Sequence, residues 1–269
     1  MWDNPRLLNG ISAGLFGVAL LLVSWGIYYS MVTSPLFPLR VVRVQAVQGE
    51  LSRLTQAQLD EALSGRVSGN FFGLDLDAVR NTLGALPWVR KVAVRRSWPD
   101  RLDVAIEEHV VLARWGDDRL VNVQGEVFEG EDEQRAALPL LFGPAASERQ
   151  VTERYRAFKN ILAPLGAELE PRQVLLSRRY AWRVRLANGL VVELGRDTGQ
   201  DGVSAPASAP VQMSVTERLS RFAQVYPQTL GQLRRRLDYV DLRYPNGFAL
   251  RVPEIMNSDP DRKAARKRA

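Results

Sequence analysis

The sequence predicts an α+β protein with one N-terminal transmembrane helix, a domain of order β-α-α-β-β, and a C-terminal β-rich domain with flanking helices. Three observations support this prediction. Residues 11–32 carry no charged side chain. Between residues 75 and 106 the spacing of apolar side chains changes from helical to alternating, which indicates that strands follow a helix. The second half contains short alternating segments separated by turn residues.

The uncharged run over residues 11–32 is long enough to span a bilayer. It contains 22 residues, and roughly 20 are needed at about 1.5 Å per residue to cross a hydrocarbon core about 30 Å thick. A cleaved signal peptide is the alternative, but SWGIYYSMVTSP offers no A-x-A type cleavage site. The sequence therefore predicts a short tail over residues 1–10 and an uncleaved transmembrane helix over residues 11–33.

The charges that flank this helix leave its orientation open. Arg6 and the amino terminus precede it, and Arg40 and Arg43 follow it. By the positive-inside rule this count is nearly neutral, or even favours the reverse orientation. Large domains are translocated largely regardless of charge, so the count does not decide the orientation.

Residues 36–110 are predicted to form a small domain that begins with a strand and a helix. Residues 39–47 alternate well enough for the first strand. Thr55 and Gln58 match a capping box, which predicts that a helix begins there.

A second helix and an antiparallel hairpin complete this domain. Residues 75–86 place apolar side chains on one helical face, and Pro87 ends the segment. After Pro87, apolar and charged residues alternate in VRKVAVRR and RLDVAIEE, with the turn residues SWPD between them. The predicted order is therefore β-α-α-β-β, and the hairpin has a strongly charged outer face.

Residues 111–256 are predicted to form the β-rich domain with its helices. One helix is expected over residues 151–165, and another begins at the capping box of Ser214 and Glu217. Two hairpin turns are expected, at Asn188-Gly189 and at Pro245-Asn246-Gly247.

Two segments have a composition typical of flexible chain. Residues 197–212 are rich in Gly, Ala, Ser and Pro, which predicts a flexible insertion. Residues 257–269 carry five basic and two acidic side chains, so this tail supplies three of the six net positive charges. We expect the tail to be disordered. Because the remaining body is only mildly basic, binding of nucleic acid is not expected.

Few catalytic arrangements are available to this sequence. It contains no cysteine and one histidine, His109, which excludes disulfides, thiolate metal sites and multi-histidine metal sites. Glu107 and Glu108 are neighbours on a predicted strand and point to opposite faces, so a charged strand face is expected rather than a paired acid and base. The sequence has no phosphate-binding glycine loop. We therefore expect no enzymatic activity, no cofactor and no small-molecule substrate.

Three short motifs are more specific than these patterns. LPWV, VRRSWPD and EEH…ARW, in this order, resemble the polypeptide-transport-associated (POTRA) domain of the FtsQ/DivIB family of bacterial division proteins. The resemblance covers almost all of residues 11–256. It implies a non-enzymatic divisome scaffold at the division septum, anchored in the inner membrane with a cytoplasmic N-terminus and a periplasmic C-terminus. It also implies FtsB and FtsL as partners and, through them, a link to FtsW and FtsI.

The same resemblance implies a site for FtsB at the terminal hairpin, where a partner chain adds a strand. The matching residues of the contact turn and the paired backbone are Arg243, Tyr244, Asn246, Gly247, Phe248, Ala249 and Leu250. Arg179 is a second positive group that can meet an acidic residue of the partner. Pro245 and Phe248 depart from the small polar residues of some family members, and proline lacks an N–H group. The alternative is that these residues only close the β-rich domain.

A second partner surface is predicted on the hairpin of the POTRA domain. Its basic residues are Arg90, Lys91, Arg95 and Arg96. Two other functions stay open as alternatives. A POTRA-type transport adaptor should carry repeated POTRA units or a following barrel, and a membrane-anchored periplasmic hydrolase would need His109 or a carboxylate pair in a cleft.

Overall fold

The computed structural model describes residues 5–33, 41–47, 49–64, 71–197, 213–232, 237–244 and 247–251. The chain divides into two compact units, residues 1–109 and residues 110–269. The predicted α+β class is confirmed. The first unit contains an N-terminal apolar helix and a small mixed domain, and the second is β-rich with helices.

Helix α1 (Pro5–Thr33) contains the uncharged run of the sequence. Its stretch Asn9–Met31 is 23 residues long and has no buried residue. Among the described residues, α1 is the one helix long and apolar enough to cross a membrane. Leu15, Phe16 and Leu21 are exposed, and at 100° per residue they point to different sides. An apolar surface on all sides suits lipid rather than water, so α1 fits a single-pass membrane protein.

The rest of the first unit has the predicted element order. The elements are β1 (Val41–Ala46), α2 (Gln56–Leu63), α3 (Leu76–Gly84), β2 (Val89–Ser97) and β3 (Arg101–Glu108). β3 is the central strand of a three-stranded sheet. It pairs antiparallel with β2, as the hairpin pattern predicts, and parallel with β1. Parallel pairing requires a long connection, which α2, α3 and β2 provide together.

The two helices of this unit begin where the sequence predicts. Thr55 and Gln58 form the capping box of α2. Asp75 caps α3 by accepting hydrogen bonds from the backbone N–H groups of Asp77 and Ala78. Both helices bury one apolar face against the sheet. The fully buried side chains of this core include Leu59, Val79, Leu83, Leu102, Val104 and Ile106.

The Glu108 carboxylate fastens the segment before α2 to the end of β3. It accepts hydrogen bonds from the backbone N–H groups of Ser52 at 2.9 Å, Arg53 at 3.0 Å and Leu54 at 2.9 Å. It also accepts one from the Ser52 hydroxyl at 3.1 Å. The sequence predicts only a charged strand face for Glu108, because these contacts join residues 54 to 56 positions apart.

Replacing Glu108 with alanine is expected to lower the free energy of unfolding of the first unit by about 2 kcal/mol, because three backbone donors lose a charged acceptor. Glutamine keeps one carbonyl oxygen and should cost less. Thermal unfolding of the full chain in detergent, followed by circular dichroism, measures both changes. Glu61→Ala on the exposed side of α2 is the control, and an equal effect of the two alanine variants would contradict this role.

The second unit contains a nine-stranded mixed sheet with the order β12-β11-β10-β9-β8-β7-β4-β5-β6. Its first elements are β4 (Val111–Trp115), β5 (Arg119–Asn122), β6 (Val127–Phe128), β7 (Leu140–Phe142) and α4 (Glu148–Leu162). The remaining elements are β8 (Pro171–Leu176), β9 (Ala181–Leu186), β10 (Val191–Arg196), α5 (Val215–Val225), β11 (Tyr239–Asp241) and β12 (Ala249–Arg251).

Helices α4 and α5 contact each other and cover one face of this sheet. Their apolar faces bury Tyr155 and Phe158 of α4 and Leu219 and Phe222 of α5. The Phe158 ring meets the ring of Trp182 on β9 edge to face, with centroids 5.9 Å apart. The other face of the sheet carries the alternate residues of each strand, which include most of its charged side chains.

The local signals of the second half are confirmed, and its long-range pairing is new. The Ser214–Glu217 capping box begins α5, and the β9–β10 and β11–β12 pairs are antiparallel. β11 pairs parallel with β10, which periodicity alone does not indicate. The predicted insertion over residues 197–212 lies outside the described residues except for Asp197, which is buried and pairs with Arg154. The predicted basic tail lies wholly outside them.

Candidate partner-docking edge

Strand β12 forms one edge of the nine-stranded sheet. It pairs antiparallel with β11, so that Ala249, Leu250 and Arg251 lie opposite Asp241, Val240 and Tyr239. The part of the chain that the structure describes places no strand on its other side. Alternate residues of an edge strand turn their backbone N–H and C=O groups outward. β12 therefore offers backbone donors and acceptors to a further strand.

At this edge an apolar side chain on the core-facing side of the sheet is only partly buried. Leu250 lies opposite Val240, and both side chains point to the face that carries the core. Val240 is fully buried, whereas Leu250 is 42% exposed. An added strand would cover Leu250 and extend the buried face by one strand.

Asp241 and Arg243 form a charged pair where β11 ends. The Arg243 guanidinium donates from Nε to both carboxylate oxygens of Asp241, at 2.9 and 3.0 Å, and from Nη2 to Oδ2 at 2.6 Å. The Asp241 side chain is 5% exposed and the Arg243 side chain 56%. Hydrogen bonds from Arg243 hold the pKa of the Asp241 carboxyl below its usual range. Arg243 therefore neutralises a buried charge and still presents donors to solvent.

Gly195 makes room for the Arg243 side chain beside β10. Its φ of +75° suits glycine, and a Cβ atom there would lie 2.9 Å from Cγ of Arg243. The register of β9 and β10 shifts between Glu193 and Gly195. A glycine inside a strand is typical of such a close approach, but the sequence does not say which residue approaches.

Phe248 anchors the beginning of β12 to α5. Its ring packs edge to face on the Phe222 ring, with centroids 6.1 Å apart. The Arg221 guanidinium lies 5.3 Å from the centre of the Phe248 ring and donates to the backbone carbonyl of Tyr244 at 3.1 Å. Arg221 thus joins both ends of the connection between β11 and β12. Sequence reasoning missed it, because α5 and this connection are distant in the chain.

The connection itself is described only in part. Tyr244 and Gly247 are exposed, and a Cβ atom on Gly247 would meet no other atom within 4 Å. Pro245 and Asn246 lie outside the described residues. The structure therefore places six of the seven predicted residues of the terminal hairpin along one edge: Arg243, Tyr244, Gly247, Phe248, Ala249 and Leu250.

Arg179 lies at the same end of the sheet as the start of β12. It is exposed in the turn between β8 and β9. The start of β9 lies beside the end of β10, because Ala181 is opposite Arg196. The end of β10 lies beside the end of β11, where Glu193 is opposite Asp241. Asp241 is in turn opposite Ala249 at the start of β12. β9 and β12 are three strands apart, or roughly 14 Å at about 4.8 Å per strand. Arg179 and Arg243 can therefore flank one bound segment.

The four basic residues of the β2–β3 hairpin do not form one surface. Arg90 donates to the Glu107 carboxylate at 2.6 Å. Arg96 donates to the backbone carbonyls of Phe71 at 2.8 Å and Leu74 at 2.5 Å. Lys91 and Arg95 lie opposite Glu107 and Asp103 on the outer face and are exposed. Two of the four thus hold the domain together, and the other two remain on the outer face.

The residues that a hydrolase would use have structural contacts. Glu107 pairs with Arg90, Glu108 binds backbone N–H groups, and the His109 backbone N–H donates to the Trp88 carbonyl at 2.9 Å. Within the described ranges, no group of three or more His, Cys, Asp or Glu side chains is placed to hold a metal ion.

Comparisons with known proteins match both units. The family model described as the C-terminal domain of cell division protein FtsQ/DivIB matches residues 113–243, and that of the FtsQ-type POTRA domain matches residues 38–109. The cell division protein FtsQ of Nitrosospira multiformis is 40% identical over 258 residues, 93% of this chain and 99% of the relative. FtsQ of Burkholderia pseudomallei is 38% identical over 94% of both chains. FtsQ of Bordetella pertussis is 36% identical over the full length of both.

Proposed function

Since this chain belongs to the FtsQ/DivIB family of bacterial cell division proteins, we propose that it is a non-enzymatic scaffold that binds the FtsB/FtsL complex. The observation that carries this proposal is the β12 edge, which has outward backbone groups and an uncovered Leu250. A segment of FtsB would pair with β12 as an additional strand. Main-chain hydrogen bonds then supply affinity, and alternate side chains supply specificity.

The charges around the edge favour an acidic segment as the partner. Exposed cations at this end of the sheet include Arg179 and Arg243, while the carboxylate of Asp241 is buried and paired. Glu193 on the neighbouring β10 is also paired, with Arg183 at 2.7 Å. An incoming Asp or Glu would therefore meet positive charge, which accelerates association and fixes the register of the added strand.

The proposed position of the protein in the cell follows from α1 and the family. α1 would anchor the chain in the inner membrane, with a cytoplasmic N-terminus. The small mixed domain of the first unit and the whole second unit would lie in the periplasm. At the division septum the chain would hold FtsB and FtsL and, through them, connect to FtsW and FtsI. No bond is made or broken in this function.

Charge reversal at Arg179 is expected to weaken binding of the FtsB/FtsL complex about 10-fold, the effect of roughly 1.4 kcal/mol from one lost ion pair and one new repulsion. Arg179 is exposed, so Arg179→Glu should fold normally. The matched control is Arg119→Glu, on the exposed side of β5 in the distant part of the sheet. Binding of the full chain in nanodiscs to the purified cognate complex is measured by biolayer interferometry.

Two outcomes of this experiment would count against the proposal. Equal weakening by the Arg179 and Arg119 variants would indicate a general effect of net charge rather than a local contact. A folded wild-type chain that fails to bind its cognate complex would overturn the scaffold function itself.

A further inference from the structure

The turn between β2 and β3 exposes a large aromatic side chain. Trp98 is 76% exposed, more than any other large apolar residue that the structure describes. Tryptophan is highly buried on average in soluble domains. An exposed tryptophan at the tip of a turn therefore calls for an environment that accepts both an apolar ring and an N–H donor. We call residues 97–100 the Trp98 turn.

The Trp98 turn lies at the end of its sheet where the chain arrives from α1. The backbone N–H of Val41, the first residue of β1, donates to the Asp100 carbonyl at 3.4 Å. Val41 also lies opposite Arg101, the residue that follows the turn. β1 thus begins beside the Trp98 turn.

The chain between α1 and β1 is short. Seven residues separate Thr33, where α1 ends, from Val41. Fully extended, the eight steps from residue 33 to residue 41 reach about 29 Å at about 3.6 Å each. Of all the surfaces of this domain, the end that carries the Trp98 turn is attached most directly to the membrane-spanning helix.

The surroundings of Trp98 match the headgroup layer of a bilayer. Arg43, Arg95 and Arg101 share the outer face at this end and are exposed, and Val41 is an exposed apolar neighbour. Arg40 precedes β1 in the sequence. Among the described residues of this end, Arg43, Arg95 and Arg101 outnumber Asp100 and Asp103, and Arg95 lies 3.5 Å from the Asp103 carboxylate.

We propose that the Trp98 turn docks on the surface of the membrane that α1 spans. The indole ring inserts at the level of the headgroups, where tryptophan is enriched because it has an apolar body and one polar N–H group. The flanking arginines pair with the phosphates of anionic lipids. The docking rests on α1 as the membrane anchor, but not on partner binding at β12.

A protein partner is less suited to this site than a bilayer. A protein partner would need a pocket that fits the Trp98 ring, as the partners of aromatic interface anchors have. A bilayer surface needs no pocket, and it is always present within reach of the short connection. Docking would restrict the rotation of the domain about its linker and so fix the height of its other surfaces above the membrane.

The chain contains no cysteine, so a single spin label can report the depth of this turn. Ser97→Cys labels the turn beside Trp98, and Val47→Cys labels an exposed position just after the other end of β1. Both labelled full-length chains are reconstituted in nanodiscs, either of phosphatidylcholine alone or with phosphatidylglycerol. Power saturation with oxygen and with a nickel chelate gives the depth parameter, which is negative in water and positive in lipid.

We expect the depth parameter at residue 97 to be clearly higher than that at residue 47 in discs with phosphatidylglycerol. In the Ser97→Cys chain, Trp98→Ser should lower the value to that of residue 47 while leaving thermal unfolding unchanged, since Trp98 is exposed. Joint replacement of Arg43 and Arg101 by glutamine should remove the difference between the two lipid compositions.

Three results would overturn the proposal. The first is that the label at residue 97 proves as accessible to water as the label at residue 47 in both kinds of disc. The second is that the label at residue 97 becomes protected only when the FtsB/FtsL complex is added, which would make the turn a protein contact. A chain that does not co-elute with the discs would overturn the membrane anchor and the docking together.

Discussion

Of the substitutions Ala249→Pro and Leu250→Pro, at consecutive positions of the edge strand β12, one is expected to weaken binding of the FtsB/FtsL complex about 100-fold. In that variant a main-chain hydrogen bond to the added strand is lost and the proline ring clashes with that strand, which together cost roughly 3 kcal/mol. The other substitution is expected to destabilise the sheet instead. Successive N–H groups of a strand point to opposite sides. One of the two therefore points to the partner, and the other to β11.

The two readouts are binding of the full chain in nanodiscs and its thermal unfolding temperature. Leu250→Ala is the matched control, because it keeps the N–H group and removes only the side chain that an added strand would cover. Its expected effect is about 10-fold, from roughly 1.5 kcal/mol of lost apolar burial. If neither proline weakens binding although both chains fold, strand addition at β12 is wrong and the partner binds elsewhere.

Strand addition predicts that one proline variant loses binding and the neighbouring one loses thermal stability. This pattern distinguishes strand addition from binding through side chains alone and from a general loss of structure. A patch of side chains would respond to the alanine variant at least as strongly as to proline. A general loss of structure would lower binding and unfolding temperature together in both proline variants. The predicted pattern occurs only where the backbone of β12 itself is the binding surface.

Local elements could be predicted from the sequence because their causes are local. The capping boxes at Thr55 and Ser214 join residues three positions apart. Likewise, the Asn188-Gly189 turn brings neighbouring strands together. These signals indicated the order of helices and strands, and the motif resemblance placed the terminal hairpin.

The remaining features depend on contacts between distant parts of the chain. The parallel pairing of β1 with β3 joins residues about 60 positions apart, and no hydrophobic period encodes it. The same applies to Arg96, which hydrogen-bonds carbonyls before α3, and to Arg221 at the β11–β12 connection. Arginines on a charged face look alike in sequence. Only the structure separates Arg96, which holds backbone carbonyls, from Arg95, whose contact is a surface ion pair with Asp103 at 3.5 Å.

Removing the Arg243 side chain is expected to lower the free energy of unfolding of the second unit by about 2–3 kcal/mol. In Arg243→Ala the buried Asp241 carboxylate loses all three hydrogen bonds from the guanidinium group. It keeps the bond from the backbone N–H of residue 243 at 3.0 Å. Because Arg243 is itself half exposed, the cost stays below the roughly 3–5 kcal/mol of a fully buried pair.

A second substitution separates the loss of the pair from the loss of packing. In the double variant Asp241→Asn with Arg243→Ala, no buried charge is left unpaired, so much of the stability should return. The control is Arg251→Ala, which removes an exposed arginine that lies 5.8 Å from the ring centre of Tyr239. Denaturant unfolding of the wild type, both single variants and the double variant gives the coupling energy between Asp241 and Arg243. A coupling energy near zero would contradict the role assigned to this pair.

The pH dependence of the wild type and of Arg243→Ala should have opposite signs. In the wild type, Arg243 holds the pKa of Asp241 below its usual range. The stability this contributes is present above the unfolded pKa of about 3.9, and it is lost only as the pH falls through the lower folded value.

In Arg243→Ala, burial acts on the Asp241 carboxyl without the guanidinium and should raise its pKa above the ordinary value. The folded variant then binds a proton more readily than the unfolded chain, so its stability should increase as the pH falls from about 7 to about 5. The difference in unfolding free energy between the two chains should therefore narrow over this range, and a constant difference would show that Asp241 is solvated once Arg243 is removed.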